Sequence, residues 1–109
     1  MCLFCKIANH EQDADTIYED EKIIVLKDIN PKAPIHLLIV PKKHINSINE
    51  LEETDRELTS DMIFLAKKLA LKHGISEKGY RLTFNVGRDG GQIIDHIHLH
   101  LMGGGKINE

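Results

Sequence analysis

The residues His96-Ile97-His98-Leu99-His100-Leu101 place an imidazole at every second position. That is the period of a β-strand, in which successive side chains point to opposite faces. The spacing predicts His96, His98 and His100 on one face and Ile97, Leu99 and Leu101 on the other. The apolar face belongs on a core. The imidazole face needs polar partners, because each ring has two nitrogens to satisfy and neighbouring protonated rings repel. A neutral imidazole is a good nucleophile toward phosphorus, and a protonated one neutralises charge on phosphoryl oxygens. Just upstream, Asn85 could donate to the same oxygens, and Asp89-Gly90-Gly91-Gln92 forms a glycine-rich loop. Glycines let backbone approach a ligand closely, and the N–H groups of such a turn can cradle a phosphate. The combination points to chemistry on a phosphate.

The elements that must position these groups are legible as a short series. Residues 2–8 predict a short helical turn. Thr16–Glu19, Ile23–Leu26, His36–Val40 and Tyr80–Val86 predict four strands, and the histidine segment a fifth. His36–Val40 is apolar on both faces, which argues for a central place in a sheet. Asn30-Pro31-Lys32-Ala33-Pro34 is a loop, because its prolines disfavour helix and central strand. Thr54–His73 is the long helix: Thr54 and Glu57 have the spacing of a capping box, and Leu58, Met62, Leu65, Ala66, Leu69 and Ala70 recur at three and four. Gly74 supplies its stop. Glycine and aspartate in residues 87–91 predict a hairpin into the histidine strand. The expected fold is α+β: a five-stranded, mainly antiparallel sheet with one long helix and a short N-terminal helix.

At 109 residues the chain reads as one domain, residues 1–109, with enough length for a core without disulfides. Its net charge of −3 and the absence of a basic block argue against a general nucleic-acid binder. No run of about 18 apolar residues and no signal-peptide pattern occurs, so no membrane partner and a cytoplasmic location are expected. Cys2 and Cys5 form a CxxC, which in a reducing compartment suggests metal or redox chemistry more than a structural disulfide. His10 and His73 read as surface residues.

The segment His96–Met102 matches the histidine triad pattern, and the likeness extends well beyond it. Asp28-Ile29-Asn30-Pro31-Lys32-Ala33-Pro34-Ile35-His36, Val40-Pro41-Lys42-Lys43-His44-Ile45, Gly79-Tyr80-Arg81, Asn85 and Asp89-Gly90-Gly91-Gln92 resemble the Hint-like branch of the histidine triad (HIT) nucleotide-binding proteins. The resemblance runs from about Phe4 to Gly104. It implies a nucleotidyl hydrolase or transferase that cleaves the α-phosphate bond of purine nucleoside phosphoramidates or acyl-adenylates through a covalent nucleotidyl-histidine. By position, His98 is the nucleophile, His100 binds phosphate oxygens, His96 buttresses the triad, and His36 is the family's fourth histidine. Asn85, Gly91, Gln92 and the backbone N–H of Ile93 complete the phosphate loop. Asp28 matches the ribose-binding acid, and Phe4, Ile7, Leu26 and Ile29 match the apolar slot for the base. The family is typically homodimeric; here Tyr80–Val86 and the Thr54–His73 helix are the expected interface.

The resemblance also implies a structural zinc on Cys2, Cys5, His44 and His96, and no organic cofactor. Two sulfurs and two nitrogens make a closed tetrahedral site. One position departs from the family inside the site: Ile93 stands where relatives commonly carry serine. The chain also stops at Glu109, short of the tail that shapes the pocket in many relatives, which leaves substrate preference open. Two alternatives therefore stand beside the main reading, a nucleotide-binding regulatory module with vestigial hydrolysis and a dinucleoside-polyphosphate hydrolase. A metal-storing or metal-sensing protein is a weaker third, because His10, His36 and His73 lack ligand spacing.

Overall fold

Every residue of Leu37-Leu38-Ile39-Val40 is buried, and the strand they belong to is the middle of the sheet. The computed structural model describes residues 1–108. In chain order the elements are α1 (Leu3–Ala8), β1 (Thr16–Glu19), β2 (Ile23–Lys27), β3 (Ile35–Pro41), α2 (Arg56–Lys72), β4 (Tyr80–Thr83) and β5 (Leu99–Gly103), with single 3₁₀ turns at Ile48–Glu50 and Glu53–Asp55. The five strands form one antiparallel sheet in the order β1-β2-β3-β5-β4. This is the expected α+β arrangement, with β3 central.

Alternation along the strands builds two cores, one on each face. Ile23, Val25, Leu37, Ile39, Leu99 and Leu101 turn toward Met62, Ala66, Leu69 and Ala70 of α2. Ile24, Leu26, Leu38 and Val40 turn the other way, onto Phe4 and Ile7 of α1. Removing a side chain such as Leu101, which is 0% exposed, should destabilise the fold by about 2–5 kcal/mol. The register places Leu38 opposite His100 and His36 opposite Met102. His36 and His100 therefore share the α1 face. Gly103, at the end of β5, is close-packed: a Cβ there would lie 2.9 Å from Ile75 Cδ1.

The structure departs from the sequence expectations at element ends. The long helix begins at Arg56, not Thr54, and the capping box observed, Glu52 with Asp55, closes the 3₁₀ turn that leads into it. A tertiary partner holds that turn: buried Asp55 accepts from Lys43 Nζ at 2.6 Å while it caps the Glu52 N–H at 3.0 Å. β4 stops at Thr83, so residues 84–86 leave the ladder. There the chain folds back on itself, and a Cβ on Gly90 would meet Val86 O at 2.3 Å. A tight hairpin is therefore replaced by a long connection over residues 84–98.

β5 likewise starts at Leu99, not His96. Residues 96–98 run beyond the regular ladder, tied instead by the Ile97 N–H to Ile45 O at 2.7 Å. His10 is exposed as expected and donates from Nε2 to Glu19 Oε2 at 2.9 Å. His73 is not a surface residue: it is half-buried as the C-cap of α2, its N–H on Leu69 O.

Candidate active site and metal centre

The three alternating histidines do not act as one row. His98 and His100 face each other, ring centroids 4.9 Å apart, with His36 5.2 Å from His100. His96 is fully buried and turned toward the cysteines. Its ring packs edge-on to His44 at 4.9 Å. Because residues 96–98 lie outside the ladder, strict alternation no longer fixes where the first ring goes.

Backbone groups fix the tautomers of His98 and His36, and His36 in turn that of His100. A carbonyl only accepts, so the 2.7 Å contact from His98 Nδ1 to His96 O puts a proton on Nδ1 and leaves the Nε2 lone pair available. An N–H only donates, so the Lys32 N–H at 3.1 Å makes His36 Nδ1 an acceptor. The neutral His36 ring then donates from Nε2 to His100 Nδ1 at 2.9 Å. His100 in turn carries its own proton on Nε2. One ring thus offers a lone pair and its neighbour an N–H, a complementary pair for attack at phosphorus and binding of its oxygens.

Burial keeps the rings neutral. It is the largest influence on His98, pushing it below the usual histidine range against the opposing pull of His96 O and Asp28. His100 is driven down to about 4, by burial first and then by His98 and His36. His36 is lowered by burial, with Asp28 opposing. Asp28 Oδ2 lies 3.4 Å from His36 Nε2, and its Oδ1 accepts from the Asn30 N–H at 2.8 Å.

The apolar residues expected at the base slot are only partly together. Phe4, Ile7 and Leu26 belong to one buried cluster on the α1 face, and Phe4 meets the His98 ring edge-on at 5.1 Å. Ile29 lies outside that cluster and is 89% exposed, beside Asp28 at the rim. In the glycine loop, Asn85 Nδ2 donates to Gly90 O at 2.8 Å. Gln92 is buried and its amide is engaged within the protein: Oε1 accepts from the Gly87 N–H, and Nε2 donates to Asn46 O and Ile94 O. The Gly91 N–H bonds Arg88 O. Ile93 projects from this loop, 86% exposed. Sequence reasoning missed Arg88, which clamps the loop through Gln92 O at 2.6 Å and Asp95 at 2.9 Å.

Cys2, Cys5, His44 and His96 come together from the two ends and the middle of the chain. Cys2 caps α1, its sulfur accepting from the Cys5 N–H. The two sulfurs are 3.3 Å apart, and each lies 3.1–3.6 Å from Nδ1 of both histidines. A tetrahedron with metal–sulfur bonds of about 2.3 Å and metal–nitrogen bonds of about 2.0 Å has edges of about 3.3–3.8 Å. The set fits a metal ion. The outer contacts fit as well: His96 Nε2 donates to Pro41 O and His44 Nε2 to Asn46 Oδ1, both at 2.7 Å, which leaves Nδ1 of each ring unprotonated toward the sulfurs.

Known proteins share both sequence and architecture. A family model described as scavenger mRNA decapping enzyme C-term binding matches residues 1–106. The purine nucleoside phosphoramidase of Escherichia coli (strain K12) is 41% identical over 102 residues, covering 94% of this chain and 86% of that protein. A HIT-like protein of Buchnera aphidicola is 42% identical over 111 residues, 100% of this chain and 99% of its own. Among solved structures, a HIT family hydrolase from Legionella pneumophila superposes with a TM-score of 0.95 at 54% identity, covering 97% of this chain and 95% of that one. A histidine triad protein from Clostridium difficile follows the fold at 0.93 with 38% identity, covering 99% and 94%. With its paired imidazoles in place and likeness across nearly its whole length, the chain belongs to the histidine triad family.

Proposed function

We propose that this chain is a nucleotidyl hydrolase that cleaves the α-phosphate bond of purine nucleoside phosphoramidates or acyl-adenylates. The observation that carries the reading is the His98 Nδ1–H bond to His96 O, which leaves Nε2 as a nucleophile. In the first step Nε2 attacks the α-phosphorus, the bond to the leaving amine or carboxylate breaks, and a nucleotidyl-histidine forms. Water then attacks the same phosphorus, releasing nucleoside monophosphate and regenerating His98. His100, held as the Nε2–H tautomer, donates to a phosphoryl oxygen as charge develops. Asn85, Gly91, Gln92 and the Ile93 N–H belong to the phosphate loop, with Gln92 acting by holding that loop closed. Asp28 accepts from the ribose hydroxyls, and Phe4, Ile7, Leu26 and rim residue Ile29 receive the base. The likeness to a purine nucleoside phosphoramidase supports this substrate class.

The metal we assign to Cys2, Cys5, His44 and His96 is zinc, in a structural role. Bound there it would supply a cross-link between α1 and the segment before β5. No organic cofactor is required. We infer a homodimer built through β4 and α2. β4 is an edge strand with Leu82 exposed, and Ile63 and Phe64 of α2 line an open groove of about 570 Å³. Residues 1–109 are read as one domain and the cytoplasm as its location; among the described residues no helix is long and apolar enough to cross a membrane.

The exposed Ile93 favours a second reading, a nucleotide-binding module with vestigial hydrolysis, because isoleucine brings no hydroxyl to this position of the phosphate loop. Rapid quench followed by intact-mass analysis separates the two. The enzyme should gain the mass of one nucleotidyl group, absent in His98→Ala; a binder gains none. A panel of phosphoramidates, acyl-adenylates and dinucleoside polyphosphates ranked by kcat/KM then fixes the leaving group.

A further inference from the structure

We propose that Asp28 is a positioning residue that links the two ends of the substrate: through His36 it sets the proton on His100, so that ribose hydroxyls raise turnover as well as affinity. The inference rests on the ribose reading of Asp28 given above. The His36 ring has one proton to place, and the Lys32 N–H at Nδ1 keeps it on Nε2. Two acceptors face that single Nε2–H, His100 Nδ1 at 2.9 Å and Asp28 Oδ2 at 3.4 Å. The imidazole is nearer; the carboxylate is the stronger acceptor. The His36 side chain is 2% exposed and that of Asp28 18%, so water does little to screen the competition.

Asp28 is held for this task. The Asn30 N–H occupies Oδ1, which leaves Oδ2 to be shared between His36 and a ligand hydroxyl. When ribose donates to Asp28, the carboxylate's pull on the His36 proton weakens and His36 gives its hydrogen bond wholly to His100 Nδ1. His100 must then keep its own proton on Nε2, as an N–H donor for a phosphoryl oxygen. When no hydroxyl engages Asp28, the proton is divided and His100 exchanges more freely into the opposite tautomer. That form would set a lone pair against the phosphoryl oxygen. Asp28, His36 and His100 are also close enough to hold a cation. A metal on His36 Nε2 would move its proton to Nδ1, directly against the Lys32 N–H, so the geometry favours a proton relay over a metal site.

The test compares adenosine with 2′,3′-dideoxyadenosine on the metal-loaded protein, with ¹⁵N-labelled histidine and His100→Gln for assignment. Long-range ¹H–¹⁵N spectra report the His100 tautomer. Adenosine should increase its Nε2–H form, and the dideoxynucleoside should bind without doing so. In parallel, kcat for an adenosine phosphoramidate should exceed that of its dideoxy analogue by about tenfold, roughly one hydrogen bond's effect. Asp28→Asn keeps an oxygen for Asn30 and should bring that kcat ratio close to one. Identical His100 spectra with both nucleosides, with ribose affecting KM alone, would overturn the coupling and leave the nucleotide reading standing. Failure of both nucleosides to bind would overturn the nucleotide reading and the inference with it.

Discussion

His98 donates its Nδ1 proton to the backbone carbonyl of His96 at 2.7 Å, and the ring of that same His96 faces Cys2 and Cys5 at 3.2 and 3.6 Å. His96 therefore touches both clusters, its carbonyl fixing the His98 tautomer and its ring standing with His44 and the two cysteines. Phe4, between the two cysteines in sequence, repeats the connection by packing on both His96 and His98.

Replacing His98 should remove the nucleophile and leave the binding contacts. In His98→Ala, kcat is expected to fall by several powers of ten while nucleoside monophosphate affinity changes little. Single-turnover kinetics and calorimetric titration read the two effects; a tenth of wild-type kcat in the variant would refute the assignment.

The cysteines should govern stability more than chemistry. Protein purified without chelator should carry close to one zinc per chain, and Cys2→Ser with Cys5→Ser should lose it and melt at lower temperature. Elemental analysis and calorimetry check both. A wild type with well under half a zinc per chain, after growth with added zinc, contradicts this prediction.

The edge strand and helix predict association. Light scattering at micromolar concentration should give twice the 12.4 kDa chain mass. Phe64→Lys, at a residue 58% exposed in the single chain, should shift the population toward monomer without changing the circular dichroism spectrum.

Stability should fall in mild acid. The folded His100 titrates at about 4 and an unfolded histidine near 6.5, so the unfolded chain binds the proton first. The neutral form's contribution is complete above about pH 6.5 and is lost as pH falls toward 4. Denaturation midpoints of His100→Gln should depend less on pH across that window than those of the wild type; equal slopes would count against it.

Position 93 should tune the leaving group. A departing amine needs a proton as its bond breaks, whereas a carboxylate leaves readily as an anion. Ile93→Ser should raise kcat/KM for phosphoramidates of basic amines by about tenfold, or 1.4 kcal/mol, and leave acyl-adenylates nearly unchanged. Equal gains for both classes would show that the hydroxyl is not what limits this enzyme.

The sequence by itself determined what local periodicity and residue chemistry encode. β3 was legible because Leu37-Leu38-Ile39-Val40 is apolar on both faces, and α2 because its apolar residues repeat at three and four. The histidines were legible because imidazoles at alternate positions have few purely structural uses. Tertiary structure alone decided the cap of the 3₁₀ turn that leads into α2, since its Asp55 is held by Lys43, twelve residues away. It also decided the division of labour among the histidines. Pro41 O, His96 O and the Lys32 N–H assign the tautomers of His96, His98 and His36, and backbone groups leave no mark in a sequence. His36 and His100 meet because β3 and β5 pair in one register, and Asp28 joins them at the end of the β2–β3 pairing, its N–H on His36 O at 3.0 Å.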